Sequence, residues 1–347
     1  MTGKIGAAVA VLIGLLGTAV AADGGADPRR AGWREAYSAP ADIPFPKENP
    51  YTPAKAILGR KLFFDPILSG DGSRSCATCH LPNLAWGDGR ARALARGHGD
   101  MDLRSPTILN LAWQDGPLGW DGKFRDIETV ASSPITAPGN MNLPMPDALA
   151  RLSADKTYAA AFAAAFDDPA VTRERLEAAL ATFERTVVSG TSPFDRWIAG
   201  DEAAIPEPAK RGFDLFNGRA NCASCHAGWA FTDGSFHDIG VGRADDIGRG
   251  RLVPSSPALR YAFKTPTLRE TARRAPYMHD GSLPTLEAVI DLYDRGGIER
   301  PSRSRAIKPL GLTPRERADL LAFLDTLSTA SDYETARAAS AGAVPAR

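Results

Sequence analysis

Every cysteine of the chain lies in one of two short motifs with the same spacing. The motifs are Cys76-Ala77-Thr78-Cys79-His80 and Cys222-Ala223-Ser224-Cys225-His226, and together they use all 4 cysteines. An even cysteine count also fits disulfides, and Cys-x-x-Cys alone fits zinc or a redox dithiol. The histidine directly after each pair instead predicts c-type haem, because two thiols form thioethers with the porphyrin and the adjacent imidazole reaches the iron. The sequence therefore predicts two covalently attached haems.

The first residues have the pattern of an export signal. Lys4 supplies a positive charge, residues 5–17 are mostly apolar, and Ala19-Val20-Ala21 is a small-x-small cleavage site. A membrane anchor is the alternative, but no second apolar run of spanning length follows. We therefore expect a signal peptide over residues 1–21 and a periplasmic protein that does not span the membrane.

Charge and composition exclude some partners and favour a packed core. Lys and Arg number 41, as do Asp and Glu, so the formal net charge is zero. This balance gives no general electrostatic reason to bind nucleic acid. Hydrophobic residues make up 44% of the chain, which is enough for packed domains.

Helix signals dominate the chain, and each haem motif follows a predicted helix. Thr52 before Pro53 is typical of a helix N-terminus, and Thr313 with Glu316 forms a capping box. Alternating strand patterns are scarce. We therefore predict a mostly α fold of two cytochrome c-like haem domains with long irregular loops. The predicted divisions are an extended N-terminal segment (22–50), an N-terminal domain (51–192), a C-terminal domain (193–330) and a tail that is a candidate for disorder (331–347).

The chain resembles the bacterial di-haem cytochrome c peroxidases and, within them, the MauG proteins. The resemblance runs from about residue 54 to about residue 327. It rests on Leu58-Gly59-Arg60-Lys61-Leu62-Phe63, Ser105-Pro106-Thr107, Trp120-Asp121-Gly122, Phe236-His237-Asp238-Ile239-Gly240, Phe263-Lys264-Thr265-Pro266-Thr267-Leu268-Arg269 and Pro276-Tyr277-Met278-His279-Asp280-Gly281.

The resemblance implies that the two haems have different roles. His80 would be the proximal ligand of a peroxidatic haem, whose other face binds hydrogen peroxide. His226 would be the proximal ligand of a six-coordinate haem that transfers electrons. Trp120 would lie between the two haems and connect them, although a buried core tryptophan is the alternative for this residue.

The sixth ligand of the second haem is the position that distinguishes members of this family. Ordinary family peroxidases are expected to have a methionine there, and MauG a tyrosine. In this chain the position falls on Tyr293, which helical spacing places on the same face as Leu286 and Val289. Met278 is the rival ligand, and packing of Tyr293 in the core is the third possibility.

The expected peroxide site departs from the family pattern. The family proline is present as Pro134, but the catalytic glutamate position falls on Asn140. An amide hydrogen-bonds peroxide but does not relay a proton. Asn140 therefore argues against fast peroxide turnover. His98 lies in the loop where classical members hold a displaceable ligand, and it is a weak candidate for iron ligation.

The sequence also argues against the inter-domain calcium ion of the family. Its asparagine ligand aligns with Arg104, and the residue that ligates through its carbonyl aligns with Arg274. A guanidinium group at the site would repel a hard cation and could replace it.

The sequence thus predicts an exported di-haem oxidoreductase. The first hypothesis is reduction of hydrogen peroxide at the N-terminal haem with electrons delivered through the C-terminal haem. The electron donor would be a small periplasmic cytochrome c or cupredoxin. The alternative is a MauG-like enzyme that oxidises residues of a partner protein through a high-valent di-haem state. A non-catalytic electron carrier is the third possibility.

Overall fold

The structure, a computed structural model, describes residues 29–97, 99–114 and 116–329. The predicted signal peptide, His98 and the predicted tail from residue 331 lie outside these residues. Within the described part the fold is mostly α, as predicted. The helices are α1 (Arg29–Tyr37), α2 (Pro53–Phe64), α3 (Ile127–Val130), α4 (Ser132–Thr136), α5 (Met145–Ala154), α6 (Lys156–Phe166), α7 (Arg173–Arg185), α8 (Pro193–Ala199), α9 (Glu207–Asn217), α10 (Leu286–Arg295) and α11 (Pro314–Asp325).

The strands in the described residues are limited to one short antiparallel pair. Strand β1 (Phe236–His237) pairs antiparallel with β2 (Phe263–Lys264). The remaining connections are turns and irregular segments, interrupted by single 3₁₀ turns. Long irregular loops therefore surround the helices, in agreement with the predicted fold class.

Two hydrophobic cores divide the molecule. The first contains α2, α6 and α7, with fully buried Leu62, Phe162 and Leu180. The second contains α9 and α11, with fully buried Phe213 and Phe323. Each core is built next to one Cys-x-x-Cys-His motif, because partly buried cysteines of that motif pack against it.

The same helix crossing recurs in both cores and depends on a glycine. A Cβ atom on Gly59 of α2 would lie 1.9 Å from the carbonyl oxygen of Ala179 in α7. A Cβ atom on Gly212 of α9 would likewise lie 1.9 Å from the carbonyl oxygen of Asp319 in α11. Only glycine permits this backbone approach, since a real side chain would have to displace the partner helix. The two domains are thus repeats of one architecture.

The predicted helix starts are confirmed. The Thr52 side chain accepts a hydrogen bond from the backbone N–H of Lys55, and Pro53 opens α2. Thr313 and Glu316 exchange side-chain-to-backbone hydrogen bonds at the start of α11, which completes the predicted capping box. These caps satisfy backbone donors that the first helical turn leaves free.

The structure differs from the extended segment predicted for residues 22–50. Arg29–Tyr37 forms α1, which packs on the second domain although it precedes the first. The rings of Trp33 and Tyr37 lie 4.9 and 5.2 Å from the ring of Phe213. The Tyr37 hydroxyl donates to Asn217 Oδ1 at 2.7 Å, which anchors the end of α1. Burial of these aromatic rings supplies the stability that the local sequence does not show.

The described helices are also too short or too polar to cross a lipid bilayer.

Candidate haem sites and the cavity between the domains

Each Cys-x-x-Cys-His motif folds into a single 3₁₀ turn that brings its three functional side chains together. The turns are Cys76–Thr78 and Cys222–Ser224. Backbone N–H groups of His80 and His226 donate to the carbonyls of Cys76 and Cys222, at 3.0 and 2.9 Å. Two cysteines and one histidine are thereby held within one short turn of backbone in each motif. This is the arrangement that attaches and ligates a c-type haem.

Both motif histidines are held by the same backbone contact. The Nδ1–H group of His80 donates to the carbonyl of Trp86 at 3.1 Å, and that of His226 donates to the carbonyl of Phe231 at 2.9 Å. Because a carbonyl only accepts, the proton must lie on Nδ1 in each ring. Nε2 is therefore the atom with a free lone pair. A hydrogen bond from the other ring nitrogen is how proteins orient a histidine that binds a metal.

The electrostatics of the motifs also suit metal ligation. Burial lowers the pKa of both His80 and His226, which keeps the imidazoles neutral. Burial raises the pKa of the Cys76 and Cys222 thiols to about 12. These thiols stand where the thioether sulfurs of attached haem would be, so they carry no charge in either form.

A cavity opens beside the second motif and reaches the first domain. Its walls from the second domain include Cys222, Cys225 and His226, and its walls from the first include Ser105 and Trp120. The exposed surface of this cavity is mainly apolar. A largely apolar cavity with a few placed polar groups is typical of a cofactor site.

Two buried guanidinium groups test whether this cavity fits a haem. Arg104 and Arg274 line the cavity, and the Nε atom of each is buried with no hydrogen-bond partner among the described residues. Burial and mutual repulsion lower the pKa of Arg274 to about 10. Two desolvated cations at an apolar cavity suit anionic groups such as haem propionates. Together with the free His226 Nε2 position, they indicate that the residues present fit a haem.

The residues predicted to compete for the sixth coordination position both line this cavity. Tyr293 lies on α10 with Leu286 and Val289, and all three side chains line it, in agreement with the predicted helical face. Met278 lines the same cavity from a turn in which its φ is +70°. Burial raises the pKa of the Tyr293 phenol, and the nearby Cys222 and Cys225 raise it further. The thiolate contribution disappears once these cysteines are thioethers.

Trp120 connects the first haem motif with the cavity. Its indole Nε1–H donates to the carbonyl of Arg104 at 3.1 Å. The next residue, Ser105, donates from its hydroxyl to the carbonyl of Cys79 at 2.7 Å. On the other side, the backbone N–H of Lys264 donates to the Trp120 carbonyl at 2.7 Å. Trp120 is therefore hydrogen-bonded to segments of both domains. Its role as a bridge between the haems stays a prediction.

Pro134 and Asn140 lie in the first domain, in and just after α4. The described lining of the cavity next to Cys222 does not include them. Asn140 Oδ1 lies 3.4 Å from Nη1 of Arg74, a buried residue two positions before Cys76. Arg74 also donates to the carbonyls of residues 94 and 95, both at 2.9 Å. The sequence analysis did not identify these contacts of Arg74, which join it to segments 20 or more residues away.

Two further histidines near the second haem motif pair with carboxylates. His237 Nε2 lies 2.7 Å from Asp233 Oδ2, and His279 Nε2 lies 2.8 Å from Asp246 Oδ2. The His279 ring also stacks on Phe263 with ring centroids 3.5 Å apart. Both rings therefore have partners other than iron.

The predicted cation replacement has a direct structural counterpart. Nη2 of Arg104 donates to the backbone carbonyl of Arg274 at 3.0 Å. This is the carbonyl that would bind calcium if the family alignment held. A guanidinium group thus occupies one side of the position where a metal ligand was expected.

The fold and the paired motifs define a di-haem c-type cytochrome with two cytochrome c-like domains. The family model for di-haem cytochrome c peroxidase matches residues 53–203, and the cytochrome c model matches residues 209–328. The chain is 52% identical over 293 residues to methylamine utilization protein MauG of Methylorubrum extorquens, covering 84% of this chain and 83% of that protein. It is 46% identical over 297 residues to the protein of the same name from Methylophilus methylotrophus, covering 85% and 88%. The chain therefore belongs to the di-haem cytochrome c peroxidase/MauG family, and it is a di-haem oxidoreductase.

More distant relatives include proteins named as peroxidases. The chain is 38% identical over 324 residues to cytochrome-c peroxidase IdrP1 of Denitromonas iodatirespirans, covering 82% of this chain and 84% of that protein. Among solved structures, a MauG-like protein associated with microbial copper homeostasis superposes with a TM-score of 0.78 at 33% identity. That alignment covers 84% of this chain and 95% of the other. Both relationships support the two-haem fold.

Proposed function

We propose that this protein is a periplasmic, MauG-type di-haem oxidoreductase that uses hydrogen peroxide to oxidise a partner protein. The observation that carries the proposal is the position of Tyr293 in the same cavity as His226. Relatives named MauG, at 52% and 46% identity, support this branch over the peroxidase branch at 38%. When bound, the haems supply the redox chemistry, in which peroxide takes two electrons and two protons to give two waters.

The residues of the chain divide the work between the two domains. His80, oriented by the Trp86 carbonyl, would be the proximal ligand on the peroxide-reacting side. His226 and Tyr293 would ligate the second haem, and Trp120 would connect the two sites. A tyrosinate ligand favours oxidised iron because its negative charge stabilises the higher oxidation state.

Asn140 would hold peroxide on the first side without titrating. Its amide keeps both donor and acceptor capacity at all physiological pH values. Proton delivery would then depend on solvent or another group. This arrangement favours a slow reaction with peroxide.

A cytochrome c peroxidase is the second candidate. Met278 lines the same cavity as Tyr293, so a thioether is available to the second haem. The peroxidase IdrP1 relative supports this possibility. In that case a small periplasmic cytochrome c or cupredoxin would return the electrons, and no protein would be modified.

The experiment that tests the proposed peroxide site replaces its proximal ligand. His80→Gly should abolish the reaction with hydrogen peroxide, because the imidazole that activates this iron is removed. Stopped-flow spectra after peroxide addition measure this loss, while reduction of the second haem by dithionite serves as an internal control. Oxidation by peroxide at the native rate in this variant would show that the first haem is not the reactive one.

A further inference from the structure

The loop that follows α10 carries a strong local positive charge. Residues 295–308 contain five Lys or Arg side chains and one acid, Glu299, whereas the whole chain is balanced at 41 and 41. Arg295, Arg305 and Lys308 are exposed. Among the described residues none forms a salt bridge with these three cations. We refer to Arg295, Arg305 and Lys308 as the basic rim.

The other two cations of the loop have structural partners. Arg300 forms a bidentate ion pair with Asp238, whose side chain is fully buried, and Arg303 donates to the carbonyl of Gly296 at 2.8 Å. These contacts fix the shape of the loop. The three cations of the basic rim therefore project from a loop whose backbone is fixed.

Nearby acids are already engaged by other cations. Arg317 binds both Asp291 and Asp294 on α10, and Arg219 binds Glu316 on α11. Glu299 is the acid of the loop that remains exposed. The positive potential at the basic rim is consequently not neutralised from the neighbouring helices.

The loop also borders the cavity of the second haem motif. Ala306, Ile307, Lys308 and Leu310 line that cavity. The backbone of Gly296 lies against residues 308 and 309, which brings the end of α10 and Arg295 to the same place. Lys308 of the basic rim thus lines the cavity that would hold the second haem, and Arg295 and Arg305 lie in the same segment, residues 295–308.

Exposed uncharged side chains line the cavity beside the second motif. Asn221 and Ser224 line the cavity and are exposed beside the second motif. Ile298, on the same loop as the basic rim, has 52% of its surface exposed. Interfaces of transient electron-transfer complexes are small, and charge complementarity raises their association rates.

We propose that the basic rim is the docking surface for a small electron-carrier protein with an acidic surface around its own redox centre. The inference rests on the second candidate function, in which a small carrier returns single electrons to the second haem. In each encounter the reduced carrier loses one electron and the haem iron gains it. Opposite charges steer such encounters and raise association rates by 10–10³-fold at low salt.

The first test measures the local charge with small oxidants and needs no peroxide. The fully reduced protein is mixed with ferricyanide, an anion, or with tris(phenanthroline)cobalt(III), a cation, and oxidation of the low-spin haem is followed. We expect Arg305→Glu/Lys308→Glu to slow ferricyanide about tenfold at an ionic strength of about 0.01 M. Oxidation by the cobalt complex should become faster. Haem content confirms that the variant is intact.

A matched control changes the total charge by the same amount elsewhere. Lys47 and Lys156 are exposed in the segment before α2 and at the start of α6. Lys47→Glu/Lys156→Glu should alter the ferricyanide rate less than twofold. Equal slowing in both double variants would overturn the proposal, because the effect would then come from net charge alone.

The second test uses protein partners. Binding of an acidic cupredoxin, zinc-substituted so that it is redox-inert, should weaken with salt and be lost in Arg305→Glu/Lys308→Glu. A basic cytochrome c should bind the wild-type protein less well than the cupredoxin does. A preference for the basic cytochrome would refute the inference. Failure of the protein to react with peroxide would instead refute the proposed function and leave these binding results to decide the inference.

Discussion

We expect the side chain at position 140 to limit how fast the first haem reacts with peroxide. In the structure Asn140 Oδ1 lies 3.4 Å from the Arg74 guanidinium group. A glutamate there would gain an ion pair, which lowers a carboxyl pKa by about 1–3 units. Asn140→Glu would therefore supply an ionised base at neutral pH. A base weakened in this way should act at the lower end of general acid–base catalysis, about 10²-fold of the typical 10²–10⁴.

Stopped-flow mixing with hydrogen peroxide measures this gain directly. Asn140→Gln is the matched control, because it has the length of glutamate and keeps the amide. The acceleration in Asn140→Glu should be present above the lowered carboxyl pKa and should disappear as the pH falls through it. Equal rates in the two variants across that pH range would show that a carboxylate at position 140 does not act as a base. Another group would then already deliver the proton.

Two further predictions concern stability and metal content. Arg269 is 1% exposed and pairs with Asp195 at 2.8 Å, so Arg269→Met should lower the free energy of unfolding by about 3–5 kcal/mol, since it leaves a buried carboxylate unpaired. Urea unfolding followed by Soret absorbance measures this change. The control is Arg315→Met, at a side chain that is 74% exposed, which should cost at most about 1 kcal/mol. Equal urea midpoints in the two variants would contradict the prediction. Treatment with EDTA should change neither the haem spectra nor the urea midpoint. The reason is that the Arg104 guanidinium group donates to the Arg274 carbonyl, where calcium would otherwise bind. Release of one stoichiometric calcium would show that this guanidinium group does not replace a metal.

The features that sequence could predict are those encoded by local spacing. The two haem motifs, the cap at Thr52 and the capping box at Thr313 each need only a few neighbouring residues. The α10 face with Tyr293 followed from a helical period of 3.6 residues. These local rules place the cysteines and histidines before any tertiary structure is known.

The features that sequence could not predict depend on contacts between distant segments. Helix α1 has 9 residues, and a helix of this length is marginal in isolation. It forms here because Trp33 and Tyr37 pack on Phe213, almost 180 residues away in sequence. A composition rich in proline, glycine and alanine around it indicated an extended segment instead.

The same limitation applies to parts of the site. The family resemblance indicated that Arg104 and Arg274 stand at positions of metal ligands. It did not indicate that the Arg104 guanidinium group donates to the Arg274 carbonyl. Arg74 gave no periodic signal, and its contact with Asn140 joins residues 66 positions apart. Such contacts arise only when loops from different parts of the chain meet.

Ligation of the second haem by Tyr293 can be tested through the reduction potential of that haem. Axial ligands set haem potentials over a range of about 0.8 V. Replacing an anionic tyrosinate by a neutral thioether removes the charge that favours ferric iron. Redox titration of Tyr293→Met should therefore show the potential of the His226 haem raised by on the order of 0.1 V. An unchanged potential in this variant, together with a changed one in Met278→Leu, would show that Met278 and not Tyr293 is the ligand.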